Sequence, residues 1–168
     1  VGENTDGHNY YSDAFANGAV LALTTKVIDQ PCVVVSDVMQ AVADLAKFAR
    51  VQLTNLTVIG ITGSQGKTTT KDLLNYILSS VGETVAPVGS FNNELGVPLT
   101  LLACSAATKY VVIEMGARHS GDIAHLASIA QPDIAVVLRV GMAHVGEFGS
   151  IETIAKTKSE LISSLADT

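Results

Sequence analysis

Short runs of β-branched and aliphatic residues alternate along this chain with stretches whose apolar positions recur three and four apart. The first pattern suits buried strands and the second amphipathic helices. Strands are expected at residues 20–23, 32–35, 57–61, 84–87, 110–114 and 134–138. Helices fit between them. Val38, Val42, Leu45 and Ala49 lie on one face of a helix that Ser36 or Asp37 could cap, and a second helix runs from Lys67 to about Ser80 and stops at Gly82. A third spans residues 121–130, between Ser120 and Pro132. The last follows Ser150 and carries Ile151, Ile154, Ala155, Lys158, Leu161, Ile162 and Leu165. Such alternation predicts an α/β fold, a mostly parallel sheet with helices on both faces. The expected boundary lies near residues 36–38, with part of a small α/β domain over 1–37 and a central domain over 38–168.

Composition narrows the possibilities. No apolar run approaches the roughly 20 residues a membrane-spanning helix requires, and no secretory leader is visible, so a cytoplasmic setting is the expectation. With 10 Lys and Arg against 16 Asp and Glu, the net charge of −6 argues against a nucleic-acid partner. An anionic ligand must then be held by local devices. Cys32 and Cys104 sit among Val, Leu and Ala and read as buried, inert thiols.

One local device is evident in Thr57-Val-Ile-Gly-Ile-Thr-Gly63-Ser64-Gln65-Gly66-Lys67-Thr68-Thr69, a strand, a glycine turn and a helix opening with lysine and hydroxyls. Backbone amides of such a loop close around phosphate oxygens, the helix start adds partial positive charge, Lys67 reaches the terminal phosphates, and the Thr68 hydroxyl can ligate magnesium. Gly63, Ser64, Gln65, Gly66, Lys67, Thr68 and Thr69 are therefore the candidate ATP-binding residues. The general pattern has a glycine where this chain has Ile61, and Gly60 and Gly63 flank that place.

Magnesium-dependent phosphoryl transfer needs a further oxygen ligand at the carboxyl end of a neighbouring strand. Glu114, closing Tyr110-Val-Val-Ile-Glu114, occupies such a position. His144 follows the next strand, but a lone histidine is as often structural as functional. Lys158, taken alone, is an ordinary lysine on an amphipathic helix.

Four segments together carry a resemblance: Thr62-Gly-Ser-Gln-Gly-Lys-Thr-Thr-Thr-Lys-Asp72, Ser90-Phe-Asn-Asn-Glu-Leu-Gly-Val-Pro98, Glu114-Met-Gly-Ala117 and Gly141-Met-Ala-His-Val-Gly-Glu-Phe-Gly-Ser150. In order and spacing they resemble the Mur ligase family. The branch they look most like joins D-alanyl-D-alanine to UDP-N-acetylmuramoyl-tripeptide in peptidoglycan precursor synthesis. The resemblance implies that ATP phosphorylates the peptide carboxylate and that the amine then displaces phosphate from the acyl phosphate. Lys67, His144 and Lys158 become the catalytic candidates. Thr68 and Glu114 would hold one magnesium ion, and His144 with a carbamylated Lys158 a second. Lys156 competes for that last role, but spacing to Glu160 favours Lys158. Asn92 and Asn93 would line the nucleotide and peptide crevice, although an Asn-Asn pair is also an ordinary turn. Asp6, Gly7 and His8 would approach the UDP-sugar.

Arg139 and Ser90 depart from the family pattern, each replacing a usual asparagine. Three domains are implied, of which this chain carries part of the first and part of the second, so little ligation is expected from it alone; a monomer is expected. The alternatives are a related Mur or folylpolyglutamate-type ligase, or a kinase or NTPase of another class built on the same loop.

Overall fold

The computed structural model describes residues 6–141 and 145–165. The chain divides into two compact units, Val1–Ala41 and Val42–Thr168.

In the first unit, a 3-10 turn at Gly7–Tyr10 leads into α1 (Tyr11–Ala16), and β1 (Ala22–Thr24) pairs in parallel with β2 (Cys32–Val34). Neither helical turn is apparent in the apolar pattern, because this stretch buries no residue and so has no stripe to read. The expected first strand begins late: Val20 and Leu21 lie exposed ahead of it. A loop at 25–31, without a helix, joins the two strands.

The second unit takes over within α2 (Val38–Gln52), whose Asp37 carboxylate accepts the N–H groups of Met39 and Gln40 at the helix start. Its sheet is parallel, ordered β4 (Thr84–Val85), β5 (Tyr110–Glu114), β3 (Thr57–Thr62), β6 (Ile134–Val137). Side chains alternate between faces with the period of two that a strand imposes. Val58, Val111, Ile113 and Met115 join a core with α2, α4 (Gly96–Leu102), α5 (Asp122–Ala130) and Leu161 of α7 (Ile151–Ser163). Ile59, Ile61 and Val112 face the other way, toward Leu74 and Leu78 of α3 (Lys67–Leu78). The sheet is thus covered on both faces, as its nearly unbroken apolar strands require. Gly60 sits at the middle of β3, where a Cβ would come within 3.0 Å of Leu161 Cδ1 and 3.3 Å of Met115 Cε.

In the second unit, α4 and the short α6 (Val145–Phe148) also escaped the apolar periodicity. Both cysteines are free and half-buried rather than fully enclosed. Burial, with Glu83 nearby, pushes the Cys104 thiol up to about 11, so it remains protonated and unreactive near neutral pH.

Candidate phosphate-loop site

β3 ends at Thr62, and the chain turns sharply before α3 begins at Lys67. The turn needs glycine at Gly66, where φ is 86°, and at Gly63 for room: a Cβ there would lie 2.7 Å from Leu138 Cβ. Ser64 pins the loop to the neighbouring strand end. Its N–H donates to Arg139 O (2.9 Å), its hydroxyl donates to Gly141 O (3.1 Å), and the same oxygen accepts from Gly141 N (2.9 Å). Arg139 itself is exposed and serves the loop through its backbone. The first helical hydrogen bond is Thr70 N–H to Gly66 O, so the amides ahead of it are unused by the helix. Lys67 folds back over the turn, its Nζ donating to Gly63 O at 2.9 Å.

Glu114 lies opposite Ile61 in the parallel register, directly beside the strand that feeds this loop. It is fully buried, and neither carboxylate oxygen has a hydrogen-bond partner among the described residues. An ionised carboxylate without a partner is expensive to bury. A divalent cation is the kind of ligand that would complete it.

A cleft of about 670 Å³ opens beside the loop, lined by Gly63, Lys67, Asn92, Asn93, Gly116 and Lys158 together with residues 117–119. Lys158 is 6% exposed and has no hydrogen bond or ion pair among the described residues. Burial first, and the charge of Lys67 second, lower its pKa below the usual lysine value. A lysine more readily neutral than most is the form able to capture carbon dioxide. Its helix is tied to α5 by Glu160, whose two oxygens accept from Gly121 N (2.9 Å) and Ala124 N (3.0 Å), and by a Ser120 to Thr157 hydroxyl pair at 3.1 Å. Lys156 lines a separate groove between α5 and α7 instead of this cleft.

Asn92 and Asn93 combine cleft and scaffold roles. Asn92 O accepts from Gly116 N (2.8 Å), and Asn93 Oδ1 accepts from Gly96 N (2.9 Å) at the start of α4. The cleft residues that follow Ala117 belong to none of the motifs recognisable in the sequence. Arg118, His119, Asp122 and His125 also line the cavity, and Asp122 Oδ2 accepts the N–H groups of both Arg118 and His119 at 2.8 Å. Their signal was position, a polar loop leaving the carboxyl end of a central strand.

His144 lies outside the described residues. Asp6, Gly7 and His8 belong to the first unit and are described within it alone. There Asp6 caps the 3-10 turn, its Oδ1 2.6 Å from His8 Nδ1 and accepting His8 N–H at 3.0 Å, while His8 Nε2 accepts Thr25 N–H at 3.2 Å. The hydrogen bonds from His8 hold the Asp6 carboxyl down to about 2.

A parallel sheet, a glycine turn closed by a helix-opening lysine, and a buried carboxylate on the adjacent strand define a phosphate-loop α/β domain. Residues 61–168 match the Mur ligase middle domain, and the chain belongs to that family. Among curated relatives, the UDP-N-acetylmuramoyl-tripeptide--D-alanyl-D-alanine ligase of Mycobacterium tuberculosis is 47% identical over 95% of this chain and 36% of its own length. The enzyme of that name from Escherichia coli is 39% identical over 99% of this chain and 37% of its own. Among solved structures, MurF from Acinetobacter baumannii superposes with a TM-score of 0.88 at 40% identity, covering 99% of this chain and 37% of that one. MurF ligase from Thermotoga maritima in complex with ADP gives 0.85 at 37% identity, over 100% and 40%. The chain therefore spans little more than a third of the length of the relatives it matches.

Proposed function

We propose that this chain forms the nucleotide-activating part of an ATP-dependent amide ligase that joins D-alanyl-D-alanine to UDP-N-acetylmuramoyl-tripeptide in the bacterial cytoplasm. The names of its relatives and the ADP complex of one of them support the reading. The observation that carries it is the unpartnered, fully buried carboxylate of Glu114 beside the phosphate loop.

The amides of residues 65–69 and the ammonium of Lys67 would hold the phosphates, and Lys67 would offset charge on the phosphoryl group in flight. Glu114 and the Thr68 hydroxyl fit magnesium, which is commonly held by one or two carboxylates together with substrate phosphates. Bound there, the ion would supply positive charge against the terminal phosphate oxygens. The peptide carboxylate takes the γ-phosphoryl group, and the amine of the dipeptide displaces phosphate to form the amide. Lys158, once carbamylated, and His144 are the residues proposed for a second magnesium ion. Asn92 and Asn93 would border the nucleotide and the peptide, and Asp6, Gly7 and His8 the UDP-sugar. The domain division is proposed at residues 37 and 38, and the working state as a monomer.

Phosphate release by the full-length protein tests the reading. It should require ATP, the UDP-linked tripeptide and D-alanyl-D-alanine together. Phosphorylation of a hydroxyl acceptor, with ADP formed and no amine required, would make the protein a kinase instead.

A further inference from the structure

Lys71 is four residues beyond Lys67 on the same helix, yet it does not face the cleft. It is 2% exposed. Three acceptors surround its Nζ: Pro87 O at 2.7 Å, Gly89 O at 3.2 Å and Asp72 Oδ1 at 3.0 Å. An ammonium has three hydrogens to donate, so the group is fully used. Burying a cation is costly, and an aliphatic residue would pack α3 against the sheet without that cost. The charge therefore has another use.

That use is the segment it grips. Residues 86–95, between β4 and α4, form no strand or helix. Val88 is 88% exposed and Phe91 57%, so apolar burial does little to fix the front of this loop. Among the described residues, Lys71 makes the only side-chain hydrogen bonds to residues 87–91. Farther on, the loop is tied by Gly116 N to Asn92 O, and Asn93 then borders the cleft that Lys67 also lines. One helix thus offers Lys67 to the phosphate loop and Lys71 to the loop that carries the asparagines.

We propose that Lys71 is a positioning residue that sets the Asn92 and Asn93 wall of the cleft at a fixed place relative to the phosphate loop, so that acceptor and phosphoryl donor meet in register. The proposal rests on the ligase reading above.

Full-length enzyme carrying Lys71→Met is the test. Affinity for Mg-ATP should stay within about threefold of the parent, whereas kcat with both substrates should fall by at least about tenfold, as expected when a wall of the site shifts by a fraction of an ångström. Amide deuterium exchange should quicken in residues 86–95 and stay unchanged in 57–66. Lys71→Arg, which can still donate to two carbonyls, should recover part of both kcat and protection. If Lys71→Met does not fold, Lys71→Gln takes its place in the same measurements. A lower Tm with parental kcat and parental exchange in 86–95 would overturn the proposal, as would a loss of ATP affinity parallel to the loss of kcat. Should the parent form no amide, the ligase reading fails by itself, and the exchange comparison still decides whether Lys71 holds the loop.

Discussion

An unpartnered carboxylate in a protein interior costs stability, and Glu114 carries two such oxygens. Replacing it by glutamine removes the charge and keeps the shape. Glu114→Gln should therefore leave the metal-free protein as stable or raise its stability by about 1–3 kcal/mol in urea denaturation, while magnesium-dependent phosphate release is lost. A destabilised variant would show that the native carboxylate already has a counter-charge. Lys158 makes the complementary case. Its lowered pKa means that the neutral amine appears at lower pH than in free lysine, so carbamylation should grow as pH rises through that value and be lost on acidification. Labelled carbon dioxide should give a carbamate NMR signal that follows this pH course and vanishes in Lys158→Met; a signal unchanged by that substitution would locate the carbamate elsewhere. The residues differ in how openly the sequence announces them. Lys67 and Glu114 could be placed from strand and turn pattern alone. Lys158 could not, because a lysine between Ile154 and Leu161 reads either as a solvated edge or as part of the buried stripe, and only packing against α5 and the sheet decides.

Elements with strong periodicity, α3, α5 and α7, lie where the apolar spacing puts them. α4 does not advertise itself, since Gly96 and Pro98 look like loop punctuation. Pro98 stands in the first turn, where a missing N–H breaks no helical bond. Gly96 is required because a Cβ would lie 2.6 Å from the Phe91 carbonyl carbon. One side chain of α7 is bonded twice to the start of α5. Glu160 accepts two N–H groups at the start of α5, so Glu160→Ala should cost about 1–2 kcal/mol in chemical denaturation and loosen the helix that carries Lys158. A parental midpoint would show that packing alone holds the two helices. A comparable tie joins α2 to the sheet. Arg50 donates to both oxygens of Asp133 at 2.9 and 3.0 Å, and Asp133 Oδ2 accepts Val58 N–H at 2.7 Å. Asp133→Ala should lower stability by about 1–3 kcal/mol, because it leaves the N–H of a central strand without its acceptor and takes the carboxylate from Arg50, which keeps carbonyl acceptors on Leu56 and Gln131.

At the scale of the whole chain, the earliest of the described residues in the main core are Ala43 and Ala46 of α2. A fragment of residues 38–168 should accordingly unfold in one cooperative step, with a Tm that rises as Mg-ATP is added. Failure of that fragment to fold would place the division elsewhere. The parallel α/β architecture was readable because its strands are apolar throughout, but the connection at 25–31 was not, since no residue there signals that two parallel strands are joined without a helix. Gly60 shows how far a small vacancy can reach. Its bare backbone lets Leu161 settle onto the middle strand, and Lys158 lies one turn earlier on that same helix. A single methyl group at position 60 would act as a wedge beneath α7. The injury would surface not only in the core but also at Lys158, on the rim of the cleft.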